Sequence, residues 1–177
     1  MRDCHLGLFF IDVVIGVKGG ILIMNRDTSI EVYFALESTY PESDFSLSTV
    51  TERIGISPTS TEKRGEPNKG AYKPRIFPFT QWTYSTGLIE TLDFEMVTMK
   101  IVDVFKEKVD IINKLKSDLG LEAKFRAVTY VRQGMSPGYS IPIEVMQFAM
   151  SIGAELDIDQ YIYEFHTDDL DNITNVE

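Results

Sequence analysis

At 177 residues, 44% apolar and with a net charge of −10, the chain has the composition of one globular domain with a sizeable core, and its acidity sets it against phosphate backbones. Its one cysteine (Cys4) and two histidines (His5 and His166) leave it without the parts of Cys/His zinc sites, thiol nucleophiles or triads built on a core histidine. The expectation is a cytoplasmic protein that binds and does not catalyse, with no metal or cofactor, and with a protein partner in place of nucleic acid or membrane.

Residues 1–23 read as a segment apart. Lys18-Gly19-Gly20 can be encoded by AAR-GGN-GGN, the purine-rich stretch a bacterial ribosome pairs with ahead of a start codon, and Met24 follows closely. The leading expectation is therefore a mistranslated leader before Met24. A true strand or loosely attached arm over "GLFFIDVVIGV" is the second reading, since such a run suits a buried strand. An export or membrane signal is the third, opposed by Asp3, Asp12 and the late Lys18. Removing residues 1–23 leaves the net charge unchanged, because Arg2 and Lys18 balance Asp3 and Asp12. A single α/β domain is expected over 24–164, with an acidic tail over 165–177.

Further along, "IEVYFALE" (Ile30–Glu37) alternates with Ile30, Val32, Phe34 and Leu36 on one face, which predicts a half-buried strand. Pro41 breaks it, and "SLSTVTERIG" predicts a short helix with Ser46 as N-cap and Gly55 as stop. An edge strand is expected near Ser57–Lys63, then a polar loop, then a strand in "TQWTYST". Phe105, Val109, Ile112, Leu115 and Leu119 recur at helical spacing up to Gly120, in one long helix or in two joined near Phe105–Lys108. The start of that segment is open, because Leu92, Phe94 and Met96 also alternate. A strand "EAKFRAVTYVRQ", a helix "IPIEVMQFAMSIG" capped by Ser140, and a strand "AELDIDQYIYE" complete the pattern.

Shifting the first part by 98 positions sets Tyr33 on Val131, Val50 on Phe148, Ile54-Gly55 on Ile152-Gly153 and Thr59 on Asp157. The expected architecture is α+β: a two-layer sandwich with a mainly antiparallel sheet and helices on one face. Its plan would be a ferredoxin-like duplicated βαβ, with a hairpin and a helical segment inserted. "ISPTSTEKRGEP", "QWTYST", "KLKSDLG" and "LDIDQYIY" after an Ile-Gly-Ala helix stop also occur in this order. Over about Ile30–Tyr163 the chain thus resembles a bacterial family catalogued as domain of unknown function 4279. It departs from the pattern at Glu62-Lys63, where an aromatic is expected. The resemblance implies a fold and no activity, with toxin neutralisation among the roles such small bacterial proteins suggest.

Two candidate sites stand out. Alternation in the last strand sets Glu155, Asp157, Asp159, Tyr161 and Tyr163 on one face, with Leu156, Ile158 and Ile162 opposite. With Tyr33 and Tyr130 they would form an outward acidic and tyrosine-bearing face, with Lys124, Arg126 and Arg132 as neighbours for its acids. Tyrosine adds contact area with few rotors to freeze, so this face predicts a protein partner, a basic toxin domain above all. The bland alternative is a solvated sheet face, and Asp157 with Asp159 alone makes a poor metal or hydrolytic pair. The second candidate is the basic loop Lys63, Arg64, Lys69, Lys73 and Arg75, which with Tyr72, Trp82 and the Asp157/Asp159 face would serve a small-ligand binder or hydrolase. It lacks the spacing of a phosphate loop, and Trp82 reads equally as core packing. The sequence leaves oligomeric state open.

Overall fold

The computed structural model describes residues 27–39, 44–68 and 76–163. Residues 1–23, the 165–177 tail with His166, and Lys69, Tyr72, Lys73 and Arg75 lie outside them. Strands β1 (Ser29–Ser38), β2 (Ser60–Glu62), β3 (Gln81–Ser85), β4 (Ile89–Glu90), β5 (Leu121–Val131) and β6 (Glu155–Ile162) form one sheet in the order β2-β3-β1-β5-β6, with β4 pairing the start of β1. All pairings are antiparallel except β5–β6, which is parallel.

The helices are α1 (Leu47–Ile54), α2 (Phe94–Phe105), α3 (Val109–Leu119) and α4 (Ile143–Ser151). In α1 the Ser46 hydroxyl accepts the Thr49 N–H at 3.2 Å, and Gly55 closes the helix in the left-handed region at φ 73°. Asp93 caps α2 by accepting the Met96 N–H at 2.9 Å, so Leu92, Phe94 and Met96 begin a helix and not a strand. The helical middle breaks at a 3₁₀ turn over Lys106–Lys108, which joins α2 to α3. Ser140 caps nothing: Pro142 holds extended backbone and α4 starts directly after it without a side-chain cap.

All four helices cover one face of the sheet. Val50 and Ile54, then Phe94, Val97, Ile101 and Phe105, then Ile112 and Leu115, then Val145, Phe148 and Ile152 pack with Ile30, Val32, Phe34, Leu36, Trp82 and Phe125 in one core. The positions matched by the 98-residue shift, Val50 with Phe148 and Ile54 with Ile152, are all buried in it.

Both βαβ units form, and the first is split by a strand between its two parallel partners. The strands β5 and β6 around α4 are neighbours, whereas β3 lies between β1 and β2. The expected insertion is therefore integral: β3 is a central strand and α2 packs on β1. The predicted edge strand over Ser57–Lys63 shrinks to Ser60–Glu62, which pair with Gln81–Thr83 of β3. No helix among the described residues is long and apolar enough to cross a membrane.

Candidate functional site: an open, acidic sheet face

Among the described residues no helix covers the second face of the sheet, and register decides what it presents. Side chains alternate, so Glu31, Tyr33, Ala35 and Glu37 of β1 share it with Glu122, Lys124, Arg126, Val128 and Tyr130 of β5. From β6 come Glu155, Asp157, Asp159 and Tyr161, and from β2 comes Glu62. Glu90, opposite Ser29, joins them, so among the described residues the carboxylates of this face outnumber its cations Lys124, Arg126 and Arg132.

Arg126 is the hub. The pairings Tyr33 with Arg126 and Arg126 with Asp157 put the three side by side across β1, β5 and β6. One guanidinium nitrogen donates to the Tyr33 hydroxyl at 3.2 Å, and Nε lies 2.9 Å from Asp157 Oδ2 without hydrogen-bond alignment. Burial raises the Tyr33 phenol above its ordinary pKa, and Arg126 opposes the shift. Lys124 turns away from Glu155, with Nζ at 2.9 Å from Glu122 and 3.5 Å from Glu37.

Beyond Arg126 the face becomes aromatic. Tyr130 stacks on Tyr161 with centroids 5.5 Å apart and planes 16° apart, and on Tyr163 at 6.4 Å and 28°. The Arg132 guanidinium covers the Tyr163 ring at 4.3 Å. Tyr161 and Tyr163 remain exposed, so the row offers flat rings beside carboxylates. Burial raises the Tyr130 phenol, which keeps it neutral.

The structure brings the β1, β5 and β6 candidates together on this face. Two details differ from expectation. Tyr33 is only 6% exposed, because Arg126 spans it, so it positions Arg126 and offers little contact area. Ile162 points to the helix side yet is 71% exposed.

Of the other candidate, only Lys63, Arg64, Trp82, Asp157 and Asp159 are among the described residues. Trp82 is fully buried on the helix side between Phe34 and Phe105, donating its indole N–H to Thr51 Oγ1 at 3.0 Å. β1 and β5 separate its strand from β6, so it cannot join Asp157 and Asp159 around one ligand. Lys63 is engaged by Asp44 at 2.7 Å and by the Phe45 carbonyl, and the Arg64 N–H bonds to Thr80 Oγ1. A groove of about 340 Å³ between α2 and α4, lined by Met99, Val102, Lys106, Glu144 and Gln147 among others, touches none of the predicted site residues. Among the described residues no three His, Cys, Asp or Glu side chains gather around a cation-sized space.

Sequence reasoning missed a carboxylate pair at the far end of the face. Glu37 and Glu62 flank Gln81 across β1, β3 and β2. Desolvation raises both above the ordinary 4.5; Lys124 moderates Glu37, whereas Glu37 pushes Glu62 further up, and one Glu62 oxygen is buried without a hydrogen bond. A carboxyl raised in the folded state binds its proton more tightly there than in the unfolded chain. Its favourable contribution is complete below 4.5 and is lost as pH rises through the folded value. Glu62→Gln is therefore expected to be more stable than the parent at neutral pH and to lose that advantage below 4.5, as urea midpoints at the two pH values will read. The pair could not be seen in sequence, since it depends on β3 lying between β1 and β2.

Two comparisons with known proteins returned nothing: neither a curated protein nor a solved structure matches the chain. A family model does match, over residues 28–163, under the description "Domain of unknown function (DUF4279)", and it spans every strand and helix given above.

Proposed function

We propose that this chain, which belongs to the DUF4279 family, acts by binding a basic protein through its open sheet face, as an immunity- or antitoxin-like module of the bacterial cytoplasm. One observation carries the reading. A sheet surface that no helix among the described residues covers presents exposed tyrosine rings beside Glu155, Asp157 and Asp159, on a chain whose net charge is −10. Complementary fields speed the encounter and reject acidic competitors, and tyrosines supply the buried contact. Arg126 and Lys124 are both engaged by neighbouring side chains, which leaves the surplus carboxylates to face the partner.

The test is affinity capture from the native host at low salt, with the parent and with a Glu155→Lys/Asp159→Lys variant. Both positions are exposed, so stability should change by no more than about 0.5 kcal/mol. The parent should recover a basic protein, and the variant should hold that protein roughly tenfold more weakly or worse. Recovery of no basic protein, or equal recovery by both baits, overturns the proposal.

A further inference from the structure

The free flank of β6 and the outer side of α4 form one surface without a partner among the described residues. β6 ends the sheet order. The Tyr163 N–H bonds to the Val131 carbonyl at 3.0 Å, so the odd-numbered residues turn their main-chain groups to β5. Leu156, Ile158, Gln160 and Ile162 therefore point theirs at the open edge. Above that edge, Glu144 and Gln147 line the groove shared with α2, and Val145, Phe148 and Ala149 face the core.

That leaves Ile143, Met146 and Met150, at i, i+3 and i+7, on the flank away from α2. They are 60%, 46% and 81% exposed, and Ile162 below them is 71% exposed. Glu144, Gln147 and Ser151 make the α2 side polar, so the exposed apolar residues fall on one stripe. Neither lysine nor proline protects the strand "ELDIDQYI" against pairing.

Charge selects the occupant. When two copies of β6 pair antiparallel in the registers of fullest overlap, Asp159 meets Asp159 or Asp157 meets Asp159, and like charges directly opposite are destabilising. The edge refuses its own copy and suits a basic strand. We propose that β6 takes up, as an added strand, an extended segment of the partner in which Lys or Arg alternates with apolar residues. The cations face the Glu155, Asp157 and Asp159 row, and the apolar side chains lie on the helix side of the sheet, beside Met146 and Ile162. This rests on the basic-partner reading and adds main-chain pairing at one edge to it.

The probe is a labelled peptide of alternating lysine and valine long enough to span β6, compared with a scrambled peptide of the same composition and with one N-methylated on alternate residues. Fluorescence anisotropy should show the alternating peptide binding at least roughly tenfold more tightly than either control. Amide exchange should slow at Leu156, Ile158, Gln160 and Ile162. Equal binding of all three peptides without slowed exchange removes strand addition while leaving the charged face intact. Binding by none removes it as well, with the host capture still judging the face. A dimer that protects those amides without peptide also overturns it, since the edge would then hold a second copy.

Discussion

Phe105→Ala is expected to lower the unfolding free energy by about 3–5 kcal/mol, the range for truncating a buried phenylalanine. Phe105 ends α2 immediately before the 3₁₀ turn, fully buried. Its ring lies 4.7 Å from Phe34, 5.3 Å from Tyr84 and 6.4 Å from Trp82. Those three rings come from the two strands that run side by side at the centre of the sheet, so the cavity opens where strands and helices meet. A side chain reaching in from the end of one helix cannot be replaced by a small shift of that helix, because α3 is tied to the same turn. With total stabilities of about 5–15 kcal/mol for such domains, the variant should sit near the edge of folding. Urea unfolding followed by far-ultraviolet circular dichroism reads it, since fluorescence from Trp82 changes with the substitution itself. Met150→Ala, at the 81% exposed stripe on α4, is the control and should stay within about 0.5 kcal/mol. A loss below about 1 kcal/mol for Phe105→Ala would mean that the three surrounding rings close the space.

Arg126→Met should move stability and binding in opposite directions. Folding loses a charged donor to the Tyr33 hydroxyl and the close approach to Asp157, and a hydrogen bond to a charged group is worth about 1.5–3 kcal/mol. The carboxylates of the face also lose the cation at their centre. That second part is mutual repulsion and is screened by salt. The deficit should therefore shrink between low and high ionic strength, with Trp82 fluorescence as the probe. Binding of a basic partner should tighten, because the variant removes the one positive charge at the middle of the face. Arg126→Lys should fall between, since an ammonium cannot span Tyr33 and Asp157 as a planar guanidinium does. A deficit that grows with salt, or a partner held more weakly, would refute this account of Arg126.

What could be read in advance was local. Ser46 and Gly55 bound their helix because a cap hydroxyl and a left-handed glycine act within a few residues. The period of two in "ELDIDQYIY" put its acids and tyrosines on the open face, and the resemblance over residues 30–163 matches the family span. What depended on distant pairing was not legible. β4 has two residues and exists only because β1 accepts it, and nothing near Gln81 announces that β3 lies beside β1. Tyr33 was counted as exposed because alternation gives a face and not a cover, and the cover is Arg126, which follows it by 93 residues. Alternation likewise sets Ile162 on the helix side, and a strand pattern does not say how far a helix reaches over it. The α4 stripe did leave a signal, because Ile143, Met146 and Met150 widen the apolar sector of Val145, Phe148 and Ala149 beyond what one core-facing side needs.

The position of β1 has a consequence for synthesis. It is the innermost strand, yet it precedes all its neighbours in the chain, and the residue facing Tyr33 on β5 is Arg126, 93 positions later. At about 5–20 residues per second, a ribosome needs roughly 5–20 s to deliver that neighbour. Throughout that delay Ile30, Val32, Phe34 and Leu36 are out of the tunnel without the strand that will lie along them. Such a segment is a natural client for a nascent-chain chaperone, and slowing translation after β1 should raise the insoluble fraction more than slowing it after β5.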